Sequence, residues 1–456
     1  VVFVGYAGQF GWKYGIAATW AGIGNAVLGS LFAWAVLGRR TRVMTQHLDS
    51  ATMPQFFGTR YQSEGLKLAS SALIFIFLIP YTASLYNGLS RLFEMAFNVD
   101  YSVCVIVMAV LTGIYVIAGG YMATAINDFF QGIIMLIGII AVIFAVLKTQ
   151  GGLFTAFEAL KNVSDPLVSS KPGVFGSLFG PDPLNLFGVV LLTSLGTWGL
   201  PQMVQKFYAI KNEKSINKGM TISTIFAIVV AGGCYFLGGF GRLFSDKIDV
   251  AANGYDSIIP TMLQDLSAPL IGIVIVLVLS ASMSTLSSLV LTSSSTLTLD
   301  FIKGKIIRVM DEKKQLLIMR LLLVMFIAIS VVIALIQYKS SVTFIAQLMG
   351  ISWGALAGAF LAPFLYGLYC KRTTKAAVWV NFVFSTVFML ANIFYRPAFP
   401  ILLQSPINSG AFCMIAGLII VPVVSLFTKA PATEHISMAF SCYDKKSTVS
   451  AETSEK

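Results

Sequence analysis

Three residues inside one long uncharged stretch have the types and the spacing of a cation site. Ala281, Ser284 and Thr285 lie at positions i, i+3 and i+4, so a helix would place them on one face. Neutral hydroxyl and carbonyl oxygens suit a hard monovalent cation such as sodium. Serine and threonine can instead bond back to carbonyls of their own helix. The run of hydroxyls through Ser288, continued by Thr292–Thr296, favours an ion-binding face.

A carboxylate near the start of another apolar segment is the second candidate. Asp128 follows Asn127 and precedes the charge-free stretch Gly132–Leu147. A charge near the interior of a membrane is costly, and for that reason it is a functional hypothesis by default. A carboxylate at the membrane interface, stabilised by the helix dipole, is the other interpretation. The position of Asp128 alone leaves both open.

The composition predicts the elements that must position these residues. The chain has 456 residues, of which 57% are hydrophobic and 11% charged, whereas a soluble domain carries about 25% charged residues. Apolar runs such as Leu266–Leu299 contain no charge, and a membrane helix needs only about 20 apolar residues. We therefore expect an all-α integral membrane protein with about twelve transmembrane segments.

The apolar runs divide the chain into one transmembrane domain, 1–428, and a polar cytoplasmic tail, 429–456, that we expect to be mobile. The chain begins in an apolar run without Met, so we expect an incomplete N-terminus that starts partway through a membrane helix. The predicted segments are a fragment 1–12, followed by 14–38, 66–95, 101–119, 123–148, 184–208, 218–242, 267–298, 315–337, 342–369, 375–396 and 407–428.

The basic residues predict the orientation in the membrane. The net charge is +11, but the Lys and Arg residues sit in short loops between apolar segments and form no single patch. We therefore exclude nucleic acid as a partner. Most of the 31 basic residues fall on one side if the loop after 14–38 is cytoplasmic, as the positive-inside rule requires. A multi-pass protein of the plasma membrane follows, and the short loops favour a bacterial inner membrane.

Two segments with similar glycine motifs are a weak sign of an internal repeat. Gly5-Tyr6-Ala7-Gly8 lies in the first segment, and Gly196-Thr197-Trp198-Gly199 lies in the sixth, followed by Pro201. Broken helices at matching places in two halves indicate a transporter binding site. Paired glycines can also serve only to let helices pack closely, and Pro201 favours a true break in the sixth segment.

The sequence offers few residues of the types and spacing that enzymes use for catalysis. The chain has two histidines, His47 and His435, and five cysteines without the spacing of a metal site or a disulfide framework. No nucleophile or metal constellation is visible. We expect no enzymatic activity and no cofactor, with sodium acting only as a coupling ion.

The chain resembles the solute:sodium symporters over essentially its whole length. Met283-Ser284-Thr285-Leu286-Ser287 is similar to the sodium-site helix of that family, and three further motifs resemble core helices of its sodium/proline symporters. These motifs are Tyr81-Thr82-Ala83-Ser84 with Arg91-Leu92-Phe93-Glu94, Gly119-Gly120 with Asn127-Asp128 and Gln131, and Gly199-Leu200-Pro201-Gln202 with Phe207.

The resemblance implies a LeuT-type inverted-repeat helix bundle. The first repeat would be 1–148, the second 184–369, and 375–428 would supply extra helices. Sodium would bind between the first and eighth core helices, with ligands from the Ala281 carbonyl and the Ser284 and Thr285 hydroxyls. Further ligands of the first core helix would precede Val1.

The resemblance also implies a second sodium site and a solute site. Some family members hold another sodium nearer the cytoplasm, and its ligands would here be Asp128, Ser284, Ser287 and Ser288. Tyr81, Thr197 and Ser288 would lie near the solute. Proline symporters have Trp and Tyr at sixth-helix positions where this chain has Thr193 and Thr197. Trp198 is the nearest aromatic side chain there, so the resemblance leaves the solute open.

The implied function is sodium-coupled symport of a small organic solute, such as an amino acid, a carboxylate or a sugar, by alternating access. The sodium ion, the solute and the lipid bilayer are the implied partners. A channel-like protein, or a sensor that kept the transporter bundle, is the alternative. A saturable, solute-dependent sodium flux would distinguish the symporter from both.

Overall fold

The computed structural model describes residues 2–166, 168–169, 171–210, 214–303, 306–307, 310–338 and 345–443, without the side chains of 119–125 and 214. Eleven helical runs in this part of the chain are long and apolar enough to cross a membrane. The first run, Val2–His47, covers two of the predicted segments, so we divide it into α1 (2–14) and α2 (15–47). The others are α3 Glu64–Phe97, α4 Tyr101–Ala118, α5 Ile126–Thr149, α6 Pro183–Tyr208, α7 Ser215–Gly238, α8 Ala268–Ile302, α9 Glu312–Tyr338, α10 Ile345–Tyr369, α11 Lys375–Phe394 and α12 Pro406–Phe427.

The division between α1 and α2 falls at a glycine. Gly15 has φ +62°, a left-handed conformation that glycine adopts without steric cost. A Cβ on this residue would also collide with the backbone of Phe175. A straight helix of 46 residues would be about 69 Å long, more than twice the roughly 30 Å of a hydrocarbon core. The turn at Gly15 therefore joins two membrane helices.

The predicted interruption of the first segment is wrong. Val2–Tyr6 is a π-helical turn that continues directly into the α-helix Ala7–Tyr14, so Gly5 and Gly8 do not break the helix. A Cβ on Gly5 would meet the Ile345 side chain, and one on Gly8 would approach the Tyr255 carbonyl at 3.2 Å. These glycines allow close packing, which is the other interpretation of the motif.

The break in the sixth segment is present as predicted. The α-helix Pro183–Ser194 passes into a 3₁₀ turn, Leu195–Trp198, and a new helix begins at Pro201. Leu200, between the two, is extended with ψ 121°, because a residue before proline is excluded from the helical region. The break positions the short cytoplasmic half, Pro201–Tyr208, as a separate unit.

Helices α4 and α5 form a hairpin. Helical backbone runs through the whole range Tyr101–Thr149, yet the Asn127 side-chain amide donates to the Tyr115 hydroxyl at 3.0 Å. In a straight helix these residues would be about 18 Å apart. The chain therefore turns back between them, and Asp128 lies at the turn end of α5.

The burial of the helices shows which ones face lipid. The most apolar window of α10 is 89% buried, whereas those of α7 and α9 are 17% and 22% buried. Helix α10 therefore lies at the centre, against α3, α11 and α12. Helix α8 packs mainly on α5, α3 and α9, and α1 packs on α7 and α10.

The expectation of a mobile tail is wrong for its first part. Thr433–Phe440 forms a helix that buries Ile436, Ala439 and Phe440. The His435 ring contacts the Arg60 carbonyl at 3.2 Å, and the His47 ring contacts the Met438 carbonyl at 2.8 Å. These three apolar side chains hold the segment against the cytoplasmic end of the bundle. The remainder of the predicted tail, 444–456, lies outside the described residues.

Candidate ion and solute site

The predicted sodium helix is regular where its ligands lie. Ala268–Thr296 is continuous α-helix, and the Thr285 hydroxyl donates to the Ala281 carbonyl at 2.9 Å. Similarly, the Ser287 hydroxyl donates to the Ser284 carbonyl at 3.0 Å. The back-bonding considered from the sequence is therefore present. A hydroxyl that donates its hydrogen still has lone pairs for a cation, whereas the Ala281 carbonyl stays engaged within its helix.

The Asp128 carboxylate lies beside the Ser284 hydroxyl, so that α5 and α8 face each other through these two side chains. Its Oδ1 atom is buried and has no hydrogen-bond partner within the described part of the chain. An unpartnered charged oxygen out of contact with water costs several kcal/mol unless a cation compensates it. The chemistry of this position fits a bound cation.

A cavity of about 520 Å³ contains this carboxylate. Three of the four residues predicted for the second sodium, Asp128, Ser287 and Ser288, line it, and Ser284 contacts Asp128. Thr52, Leu299 and Arg320 also line it. Thr52 lies in the connection between α2 and α3 that is predicted to be cytoplasmic, Leu299 near the end of α8 and Arg320 near the start of α9, so the cavity is on the cytoplasmic side. The structure brings the four residues together, and their role as ligands stays a prediction.

Tyr81 lies elsewhere, in a cluster formed with three other aromatic side chains. Its ring meets the Trp353 ring edge-on at 5.8 Å, and Tyr6 and Tyr235 are within electrostatic range of it. We call Tyr6, Tyr81, Tyr235 and Trp353 the aromatic cluster; they come from α1, α3, α7 and α10. The Tyr6 and Tyr235 hydroxyls are buried without a hydrogen-bond partner among the described residues, and the Trp353 indole nitrogen faces the Tyr81 hydroxyl.

Thr197 and Trp198 are attached to α2. The Thr197 hydroxyl donates to the Gly29 carbonyl at 3.1 Å, and Trp198 Nε1 donates to the Leu28 carbonyl at 2.8 Å. Neither residue lines the cavity, in contrast to Ser288. The structure therefore does not bring these two side chains together with Ser288, and whether they contact the solute stays a prediction.

Several residues with functional potential were missed in the sequence. Lys206 and Gln202 line the same cavity as Asp128, although the position of Lys206 near the end of its segment is typical of an ordinary cytoplasmic charge. A charge inside the range Pro183–Tyr208 is the signal that could have marked it. No comparable signal marks Tyr6, Tyr235 or Trp353, because aromatic residues are frequent in membrane helices.

In the residues that the structure describes, twelve membrane helices, a broken sixth helix and a polar cavity between the fifth and eighth are the features of an α-helical secondary transporter. The family model described as "Sodium:solute symporter family" matches residues 1–383. The chain belongs to the sodium:solute symporter family. It is therefore a multi-pass protein of the plasma membrane that couples transport of a small organic solute to sodium.

The similar proteins agree with this assignment. A sodium/proline symporter of Staphylococcus aureus is 31% identical over 91% of this chain and 80% of its own length. The osmoregulated proline transporter OpuE of Bacillus subtilis is 28% identical over 92% of this chain and 82% of its own length. Both relatives are transporters by name, which is consistent with the expectation of no enzymatic activity.

Two solved structures show the fold. A Na⁺-coupled sialic acid symporter in an outward-open state matches with a TM-score of 0.70, 13% identity and coverage of 94% of this chain and 87% of its own. Mhp1, a nucleobase-cation-symport-1 family transporter, matches with a TM-score of 0.50, 12% identity and coverage of 96% and 92%. The LeuT-type fold predicted from the sequence is thereby confirmed.

Proposed function

We propose that this symporter moves a small amino acid together with two sodium ions, and that proline is the first solute to test. The single observation that carries the proposal is the buried, unpartnered Asp128 oxygen beside Ser284 in the cavity. Because a buried carboxylate oxygen without a partner is costly, this position supports a bound cation as the partner of Asp128 Oδ1.

The second sodium ion would be held by Asp128, Ser284, Ser287 and Ser288. Ser287 is 1% exposed. Ser288 lines the same cavity as Asp128. One carboxylate and three hydroxyls supply oxygen ligands only, which a hard alkali cation prefers. The carboxylate also balances the ion's charge.

The first sodium ion would be held by Ala281, Ser284 and Thr285. The Thr285 hydroxyl donates to Ala281, so its oxygen is oriented with lone pairs directed away from its own helix. A small unwinding of α8 at Ala281 would free that carbonyl as a further ligand. Ser284 then belongs to both sites and would couple them.

The aromatic cluster is the proposed binding surface for the solute. Its tyrosine and tryptophan rings offer apolar faces that attract an ammonium group, and the unpartnered Tyr6 and Tyr235 hydroxyls offer hydrogen bonds. These groups suit a small solute with an apolar body and a charged nitrogen, which is the chemistry of proline. Both relatives named for proline support this choice. Ser288, Thr197 and Trp198 remain predicted contacts.

The repeats predicted from the sequence give the moving parts. We propose that 1–148 and 184–369 are the two inverted repeats and that 375–428 are extra helices. Sodium and solute that prefer the same conformation raise each other's affinity by the same factor. At about 2.3 kcal/mol per charge per 100 mV, two sodium ions can drive strong accumulation.

Uptake of radiolabelled solutes into proteoliposomes containing the full chain tests this function. Proline, other small amino acids, carboxylates and sugars are compared with and without an inward sodium gradient. We expect saturable, sodium-dependent uptake of proline. Uptake of a sugar or carboxylate instead would reject the choice of solute, and a sodium leak that no solute changes would reject coupled transport.

A further inference from the structure

Lys206 is a second charged group in the cavity of Asp128. It lies on Pro201–Tyr208, the half-helix that follows the break in α6, and its side chain is open to the cavity while protein surrounds it. Asp128 and Lys206 interact electrostatically. They are not a contact pair, because the ion pairs within 4.0 Å among the described residues involve other side chains.

A positive charge is present in the cavity before any sodium enters. The Lys206 ammonium contributes +1 to the cavity that holds the Asp128 carboxylate, so it opposes the entry of a sodium ion. Arg320 also lines the cavity but lies on α9, whereas Lys206 lies on the half-helix that is bonded to α8 through the side chains of Gln205 and Thr292. Like charges repel with an energy inversely proportional to their separation, and the protein around a cavity screens this repulsion less than bulk water does.

Lysine has the properties that a movable cation needs. Its ammonium is a compact point charge on a flexible four-carbon stem. The segment that carries it is anchored next to the sodium helix, because the Thr292 hydroxyl donates to the Gln205 side chain at 3.0 Å. The flexible stem therefore lets the ammonium change its position in the cavity while the backbone of its segment stays fixed.

We propose that Lys206 is a built-in competitor of sodium at Asp128. Its ammonium partly neutralises the carboxylate when the second site is vacated toward the cytoplasm, and thereby lowers the affinity of that site for sodium. The consequence is faster release of sodium on the cytoplasmic side, where its concentration is low. This inference rests on the proposed second sodium site.

Sodium titrations of the purified full chain test the proposal. Sodium-dependent thermal stabilisation gives the half-saturating sodium concentration without any solute, and sodium-dependent proline uptake gives the turnover. We expect Lys206→Met to lower the half-saturating concentration about three- to tenfold and to slow uptake. Lys206→Arg keeps the charge and should stay within about twofold of wild type. Arg320→Met is the matched control from the same cavity and should also stay within about twofold.

A double substitution separates this inference from the proposed site. In an Asp128→Asn background, Lys206→Met should not change the half-saturating sodium concentration further, because the carboxylate for which Lys206 and sodium compete is absent. If Asp128→Asn alone leaves the titration unchanged, the proposed second site itself fails. If Asp128→Asn shifts the titration but Lys206→Met does not lower the half-saturating concentration, only the role of Lys206 is rejected. Equal effects of Lys206→Met and Arg320→Met would also reject it.

Discussion

The cytoplasmic and outer halves of this transporter are built in opposite ways. The cytoplasmic half contains a cavity of about 520 Å³ lined by hydroxyl, amide and charged groups. In the outer half, α1 packs so closely on α7 that a Cβ on Gly11 would collide with the backbone of Gly238. Ile258 and Ile259 of the outer loop cover the same helix near Gly8. One half is open and polar, and the other is closed and tightly packed.

The difference indicates an inward-facing arrangement. The proposed second sodium site opens on the cytoplasmic cavity, while the aromatic cluster is buried and does not line it. In alternating access the two halves exchange these states. The close contact of α1 and α7 must then separate when the protein opens outward, so the glycines there are expected to control the outer closure.

Gly11→Ala is expected to have the largest effect. The added methyl group has no space against Gly238, so α1 must move away from α7 or the closed state is lost. We expect uptake to fall more than tenfold and stability to decrease by about 2–3 kcal/mol, as for other overpacked sites. Gly272→Ala is the matched control, because its Cβ would meet no atom within 4 Å. Thermal unfolding and uptake assays measure both, and equal behaviour of the two variants would contradict a sealed outer half.

Ser284→Ala is expected to raise the sodium requirement of uptake about tenfold, because this hydroxyl belongs to both proposed sodium sites. Thr285→Ala should raise it less, since only the first site loses a ligand. In each variant the sodium requirement should change more than the half-saturating solute concentration. Ser282→Ala is the control for Ser284→Ala, because Ser282 is buried and lies two residues away, on the opposite side of α8, and it should leave the sodium titration unchanged. If Ser284→Ala leaves the sodium dependence unaltered, the assignment of an ion-binding face to α8 is contradicted.

Tyr235→Phe tests the aromatic cluster. The hydroxyl has no partner in the described protein, so its loss should not reduce stability, whereas a lost hydrogen bond of about 1 kcal/mol to the solute should raise the half-saturating solute concentration about fivefold. Tyr366→Phe has the opposite expectation, because the Tyr366 hydroxyl donates to the Leu418 carbonyl at 2.8 Å. It should lose stability and keep the solute affinity. Solute titrations and melting curves that fail to separate the two variants would exclude the cluster from solute binding.

The smallest effect is expected for Trp198→Phe. This variant removes the hydrogen bond from Trp198 Nε1 to the Leu28 carbonyl and retains an aromatic ring. We expect a loss of about 1 kcal/mol in stability and little change in solute affinity. A strong increase in the half-saturating solute concentration, with unchanged stability, would indicate that Trp198 contacts the solute.

The overall fold could be predicted from the sequence more completely than its local details could. Apolar runs and loop charges indicated the helices and their orientation, because the bilayer imposes length and charge rules on every segment. The break before Pro201 was predictable, because proline cannot continue a helix. The glycines at Gly5 and Gly8 were not, since the same residue type serves both breaks and close packing. Only the position of Ile345 against Gly5 distinguishes the two.

The candidate site was predictable where one helix or a known motif carried it. Helical spacing placed Ala281, Ser284 and Thr285 on one face, and the resemblance added Asp128, with Ser284 as the residue shared by both predicted sites. The aromatic cluster draws one residue from each of four helices, and such long-range proximity leaves no mark in a single sequence. Lys206 was missed for a different reason, since a basic residue at a helix end resembles an ordinary cytoplasmic charge.

The ratio of sodium to solute transported is the most direct measure of the central claim. Parallel uptake of ²²Na⁺ and labelled proline is measured in proteoliposomes for the wild-type chain and for Asp128→Asn. We expect about two sodium ions per solute in the wild type and about one in the variant, because Ser284 and Thr285 still bind the first ion. A ratio near one in the wild type, or a ratio that Asp128→Asn leaves unchanged, would contradict a second sodium ion at Asp128.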